Sequence, residues 1–255
     1  MSSPKPTLLL VNGAWHHPGL YSPLVKQLEA EGFHVLTPEL RTLGADKHGK
    51  THTDDVALIR EIAIPRFDEG EEIIIVAHSY GGIPACASTE GLGVHERAAE
   101  SKKGGFKAIV YLAAFAIPKR GMSLLEAFGG AWAPWMNPGA TKAGNQLIGV
   151  NERAKYAFYN DVPDDGKVQR YFEELVPHSQ DAMEAPVNYV AADLTIPKGY
   201  IICELDQALP RETQERLIVN VPGFEVERMH VGHSPFVNDP EECAKRIVKI
   251  IKIFK

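Results

Sequence analysis

The stretch EEIIIVAHSYGG at 71–82 constrains this chain more than any other segment. Its apolar residues run without interruption into a serine, Ser79, set among the small residues Ala77, Gly81 and Gly82. An unbroken apolar run of this length suits a central parallel strand buried on both faces. The small residues that follow predict a tight turn, with a helix from about Ile83. The pattern is close to G-x-S-x-G, in which a serine sits on a strained strand-to-helix turn with its hydroxyl raised above a sheet. Ala77 stands where the first glycine would be. Small neighbours allow backbone segments to approach closely, and the helix amides beyond Ser79 favour negative charge developing there.

The rest of the chain supplies matching elements. TLLLVNG at 7–13 reads as a buried strand. SPLVKQLEAEG at 22–32 places Leu24, Val25 and Leu28 on one helical face and stops at Gly32. FHVLTPEL follows as a strand, and 54–68 as a helix with Val56, Ile59, Ile62 and Ala63 inward. Further strands are expected in FKAIVYLAAF (106–115), KGYIICEL (198–205) and FEVERMHV (224–231), with a last helix from about Pro240. Strands alternating with helices imply a mostly parallel, doubly wound α/β sheet with right-handed crossovers. With 255 residues, 44% of them hydrophobic, the chain can fill the core of such a sheet.

Residues 118–190 break the rhythm. They contain no clear strand, and they carry Trp132, Trp135, Met136, Phe158, Tyr159, Tyr171 and Phe172 among prolines and glycines. A structureless loop of that size does not suit a compact domain. The expectation is a mainly helical insertion, lying as a cap over a core domain made of 1–117 and 191–255.

A serine hydroxyl at its ordinary pKa needs a base within reach, and the base needs an orienting partner. On a strand–turn–helix of this kind the partners follow in the order serine, acid, histidine. His233, in MHVGHSPF, stands directly after the last expected strand, where a base is required. His230 competes from three residues earlier, within or at the end of that strand. CELDQALP at 203–210 offers two acids, Asp206 and Glu204. Asp206 is preferred because it lies further past the strand end, where loops rise towards a site; Glu204 stays open as the alternative. An oxyanion needs two backbone donors. The amide of Tyr80, next to the serine, is one; the loop VNGAWHHPG at 11–19 supplies the other, assigned to Ala14. Gly13 and Trp15 of that loop, with Trp132 and Trp135 of the insertion, are the expected substrate contacts.

Together these segments resemble the plant methylesterase and hydroxynitrile lyase branch of the α/β-hydrolase superfamily, with related microbial esterases. LLLVNGAWHHPGLYSPLVKQLEAEGFHVLTPEL resembles that branch's opening, with Asn12 where the branch has histidine. VAHSYGG resembles its serine turn, DQALPRETQERLI its acid loop and VGHSPFVNDPEECAKRI its histidine segment. The resemblance implies an α/β-hydrolase fold and a Ser79–Asp206–His233 triad with Ala14 and Tyr80 as oxyanion donors; separately, no cofactor is expected. It also strengthens Asp206 over Glu204. Ser234 after His233, and Gly13 and Ala14 in the loop, look like the esterase side, because the rubber-tree type of lyase has a lysine and a threonine there. The resemblance therefore implies a serine hydrolase for a small ester-like substrate, a carboxylester or lactone, and the aromatic residues of the insertion suggest that it is apolar or aromatic. A lyase or decarboxylase on the same scaffold, and a receptor that retains the triad, are the rivals.

Other classes find little support in the sequence. A net charge of −6 gives no reason to expect nucleic acid or an anionic membrane as partner. The basic end AKRIVKIIKIFK reads as an amphipathic helix with a solvated face. The paired His16 and His17 lack a third ligand, so no metal is expected. Cys86, Cys203 and Cys243 read as reduced core thiols. MSSPKPT lacks a charged region followed by an apolar one. Both observations suit the cytoplasm. A small-molecule substrate is the expected partner; oligomeric state is open, a homodimer being one option.

Overall fold

The computed structural model describes residues 5–139 and 146–254. Residues 1–4 of the N-terminal stretch, 140–145 of the expected insertion, and 255 lie outside the described residues. In chain order the elements begin with β1 (Thr7–Val11), α1 (Ser22–Ala30), β2 (Val35–Leu36), α2 (His52–Asp68), β3 (Glu72–His78), α3 (Gly82–Ser88), α4 (Val94–Ala99) and β4 (Gly105–Leu112). The region 118–190 holds α5 (Leu124–Phe128), β5 (Met136–Asn137), β6 (Leu147–Val150), α6 (Ala154–Tyr159), α7 (Asp165–Glu173), β7 (His178–Ser179) and α8 (Asp181–Glu184). The chain closes with β8 (Lys198–Cys203), α9 (Arg211–Ile218), β9 (Phe224–Met229), α10 (Pro235–Asn238) and α11 (Pro240–Ile251).

Six parallel strands form one sheet in the order β2-β1-β3-β4-β8-β9. The apolar run places β3 between β1 and β4, and Ile73, Ile74, Ile75 and Ala77 are wholly buried. Being covered on both faces explains why the run carries no polar alternation. The strand expected in FHVLTPEL shrinks to Val35–Leu36, because only these residues pair with β1 at the sheet's edge.

The helices follow the apolar stripes. Gly32 ends the first helical segment at φ +84°, a conformation glycine adopts without strain. In α2 the buried stripe is His52, Asp55, Ile59, Ala63 and Phe67, while Val56 and Ile62 are only half-buried. The stripe therefore includes two polar residues that the apolar pattern passed over. α11 buries Cys243, Ala244, Ile247, Val248, Ile250 and Ile251. Its basic residues are matched by acids: Lys245 with Glu241 at 2.7 Å, Arg246 with Glu242 at 2.6 Å and Lys249 with Glu227 at 2.7 Å.

The region 118–190 adds no strand to the main sheet, but it is not free of strands. β5, β6 and β7 form a small antiparallel sheet, with Met136 opposite Val150 and Ile148 opposite His178. Two of these strands have two residues each, too short to show alternation in the sequence. The three cysteines are buried free thiols. Among the described residues, no helix is long and apolar enough to cross a membrane.

Candidate active site

The turn after β3 is strained in the way its sequence requires. Ser79 has φ +51°, a conformation that costs a non-glycine residue about 1–3 kcal/mol and persists only where its surroundings enforce it. The Ser79 carbonyl accepts a hydrogen bond from the Phe115 amide at 3.0 Å. The glycines leave room for neighbouring backbone. A Cβ on Gly81 would lie 2.5 Å from the Val11 carbonyl oxygen and 2.6 Å from that of Asn12; one on Gly82 would lie 2.7 Å from the Phe115 oxygen. Gly81→Ala should therefore lower the unfolding free energy by roughly 1–3 kcal/mol or more, since backbone must move. Urea denaturation measures this, and an unchanged midpoint would contradict the close crossing.

His233 lies after β9, and Asp206 after β8. The two loops are joined through backbone bonds from the Glu204 amide to Met229 O and from the Leu205 amide to Val231 O, both at 2.9 Å. His233 Nδ1 and Asp206 Oδ2 are 2.7 Å apart, and both residues are buried. A carboxylate only accepts, so Nδ1–H donates, and in the neutral ring this places the lone pair on Nε2. The other oxygen, Asp206 Oδ1, accepts from the amides of Ala208 at 2.8 Å and Leu209 at 2.7 Å. Gln214 of α9, wholly buried, braces this loop: its amide group donates to Cys203 O and Leu209 O and accepts from the Cys203 amide. The alternatives sit elsewhere. His230 is exposed, and its Nδ1 is 3.4 Å from Glu204 Oε2, so the two competitors pair with each other on the surface.

Ser79 and His233 border one small, narrow cavity. Ala14, Trp15, Tyr80, Phe115, Ala208 and Leu209 line it from the core, and Leu124, Phe128, Trp135, Met136, Phe158 and Met183 from the region 118–190. Among the described residues, no Asp, Glu, Lys or Arg lines it. Trp15 stands at φ +63° and meets Trp135 edge-on at 5.3 Å between ring centroids; Phe158 lies 5.7 Å from the His233 ring. The Trp15 indole N–H donates to Ile148 O of β6 at 2.9 Å, tying the loop after β1 to the small sheet. Trp132, half-buried against the core, is not among the lining residues. Gly13 is not either: it packs under the turn, and its amide donates to Tyr21 Oη at 2.9 Å.

Several polar residues beneath the cavity carry no signal in the sequence. His16 is buried, and its Nδ1–H donates to Ala14 O at 2.9 Å, so Nε2 accepts from the Tyr159 hydroxyl of α6 at 2.9 Å. Burial pushes the His16 imidazole down to about 3. His78, inside the serine turn itself, is wholly enclosed; burial, with His233 and His16 close by, holds its imidazole well below the ordinary value. The Tyr80 hydroxyl donates to Asp55 Oδ2 at 2.7 Å, and burial raises that carboxyl to about 6. His16 and His17 do not share a ligand position: His17 turns outward and accepts from the Gly19 amide at 3.1 Å. Among the described residues, no group of three or more His, Cys, Asp or Glu is arranged to hold a metal ion.

A serine on a strained turn, a paired histidine and acid, and an enclosed cavity on the parallel sheet agree with the sequence comparisons. The chain belongs to the alpha/beta hydrolase family, whose profile matches residues 8–246. It is 26% identical over 249 residues to the alpha/beta hydrolase nvfD of Aspergillus novofumigatus, covering 95% of each chain. It is also 26% identical over 250 residues to a carbendazim hydrolyzing esterase of Nocardioides sp., covering 95% of this chain and 98% of that one. The crystal structure of the methylesterase MES16 from Arabidopsis superposes with a TM-score of 0.73 at 19% identity, covering 98% of this chain and all of that one.

Proposed function

We propose that this protein is a serine hydrolase that cleaves a small, uncharged, apolar or aromatic ester, a carboxylester or lactone, through an acyl-enzyme. The observation that carries this reading is the 2.7 Å contact of His233 Nδ1 with Asp206 beside a cavity that His233 shares with Ser79. The Asp206 contact leaves His233 Nε2 as the free acceptor, which is what a general base requires. His233 takes the Ser79 proton as Ser79 Oγ attacks the carbonyl carbon. The amides of Ala14 and Tyr80 stabilise the oxyanion; the Gly13 amide is engaged by Tyr21, which leaves Ala14 as the donor from that loop. His233 then passes its proton to the leaving alkoxide, and water releases the acyl group by the same route.

The cavity wall supports the choice of substrate. A carboxylate or ammonium buried there would find no counter-ion, and burying an unpaired charge is strongly unfavourable. An apolar acyl or alcohol group instead gains from contact with Trp135, Phe158 and Phe128. In this reading the region 118–190 acts as a cap that supplies six of the fourteen residues of the wall. The esterase names among the relatives point the same way.

Intact-protein mass spectrometry after treatment with a fluorophosphonate tests the reading. The expected result is one adduct on the wild type and none on a folded Ser79→Ala variant. A folded wild type that takes no adduct would overturn the assignment and favour a binding or non-hydrolytic role.

A further inference from the structure

Two polar side chains beneath the cavity, Tyr21 and His78, form a chain of hydrogen bonds from the loop after β1 to the backbone of His233, and a third, Asn12, holds that loop from the side. The Gly13 amide lies 2.9 Å from Tyr21 Oη, Tyr21 Oη lies 2.7 Å from His78 Nδ1, and His78 Nε2 lies 2.9 Å from the His233 carbonyl oxygen. The direction of every bond is forced. A carbonyl oxygen carries no proton, so His78 Nε2–H donates to His233. The enclosed ring is neutral, so Nδ1 holds a lone pair and accepts from the Tyr21 hydroxyl. That hydroxyl has spent its one proton, and its oxygen accepts from the Gly13 amide. One neutral arrangement satisfies all three bonds.

Asn12 fixes the next peptide unit. Its Nδ2 donates to Gly13 O at 3.0 Å and to His16 O at 2.9 Å. Two carbonyl acceptors demand two protons, so the side-chain amide can face only one way. Gly13 C=O and Ala14 N–H belong to one trans peptide, so they point in opposite directions. With the oxygen held down by Asn12, the Ala14 amide is turned the other way. Tyr21 is itself fixed, its ring stacked on Phe236 with centroids 4.1 Å apart.

We propose that the Tyr21–His78 pair, with Asn12, is a positioning device that holds the Ala14 oxyanion donor and the His233 segment in register across the sheet. None of the three side chains lines the cavity, so each acts through another group. The inference rests on the hydrolase reading above. It adds that the geometry of the oxyanion donor is coupled to the placement of the base through one buried imidazole.

Tyr21→Phe removes only the hydroxyl and keeps the ring on Phe236. The expected result is a roughly 10- to 100-fold fall in kcat, below the cost of deleting an oxyanion donor outright, with KM changed less than about twofold. Affinity for a trifluoromethyl ketone, which forms an oxyanion on Ser79, should fall in parallel with kcat, because a transition-state contact is what is lost. A simple packing defect would not split the parameters in this way. His78→Asn and His78→Gln separate the two halves. The asparagine oxygen can still accept from Tyr21 but abandons His233, and the glutamine nitrogen can still reach His233 but abandons Tyr21. Each should keep part of the activity, and combining either with Tyr21→Phe should give less than the product of the separate losses. Folding of every variant is checked by thermal unfolding. Unchanged kcat and unchanged ketone affinity in folded Tyr21→Phe would overturn the device alone. A wild type that takes no fluorophosphonate and turns over no ester would overturn the hydrolase reading and the device together.

Discussion

His233→Ala should lower kcat/KM for an accepted ester by roughly ten thousand- to a million-fold, the range seen when the base of a serine hydrolase is removed. The loss comes from the serine, which at neutral pH is a weak nucleophile without a proton acceptor. Asp206→Asn is the sharper version of the same experiment. The asparagine oxygen can keep the bonds from the Ala208 and Leu209 amides, so the loop should hold its shape. Its NH2 group then faces His233 Nδ1, which must become an acceptor. The ring hydrogen moves to Nε2, and the nitrogen needed to take the Ser79 proton is blocked. A loss on the order of ten thousand-fold is expected from this change of tautomer, with a modest fall in thermal stability because the Gln214 Nε2–H that points at Asp206 Oδ2 at 3.3 Å would meet the new NH2 group. Progress curves on a chromogenic ester measure both variants. Activity within tenfold of wild type in Asp206→Asn would mean that Asp206 does not set the histidine's tautomer, and Glu204 and His230 would have to be examined as the working pair.

What could be read from the sequence is what chain order and local pattern encode. The apolar run and small residues around Ser79 fixed the central strand and its turn, and position after the last strand singled out His233. The preference for Asp206 over Glu204 rests on distance past the strand end and on the acid-loop resemblance; in the structure Glu204 lies beside His230 and Asp206 beside His233. The support beneath the cavity had no such signature. His78 sits 57 residues from Tyr21 and 155 from His233, so its partners exist only once the sheet has formed. A histidine inside an apolar strand end looks the same whether it is a relay or a satisfied core residue. Gln214 was hidden for a similar reason, since in RETQERLI it reads as one more polar residue of an exposed helix, yet it is wholly buried. The small sheet in 118–190 is built from pairings such as Ile148 with His178, which two-residue strands cannot announce. Asp55 fell on the buried stripe of α2 because Thr42 and Tyr80 satisfy it there.

The same buried histidines should make the protein acid-labile. Burial holds His16 down to about 3 and His178 down to about 4, against an ordinary value of 6.5, and His78 is lowered by the same cause. Between those folded values and 6.5 the unfolded chain binds protons that the folded chain refuses. Stability is therefore intact above pH 6.5 and is lost as pH falls. A tenfold change in proton activity is worth about 1.4 kcal/mol per proton. His16 and His178 together should then cost roughly 3 kcal/mol between pH 6.5 and 5, and His78 adds to the loss. Asp55 works in the opposite sense. Its folded value, about 6, lies above the unfolded 3.8, so its carboxyl favours the folded state as pH falls through 6. That returns roughly 1 kcal/mol over the same interval and leaves a net loss. Set against a typical total of about 5–15 kcal/mol, the change is easily measured. Urea unfolding between pH 7.5 and 4.5 should show free energy falling with acid at about 1.4 kcal/mol per pH unit or more near pH 5, the slope for one net proton taken up on unfolding. His178→Gln, where it folds, should flatten that slope, because it removes one proton acceptor from the unfolded chain. A wild-type profile level from pH 6.5 to 5 would mean that these imidazoles titrate in the folded state, and the neutral ring on which the Tyr21–His78 bonds depend would fall with it.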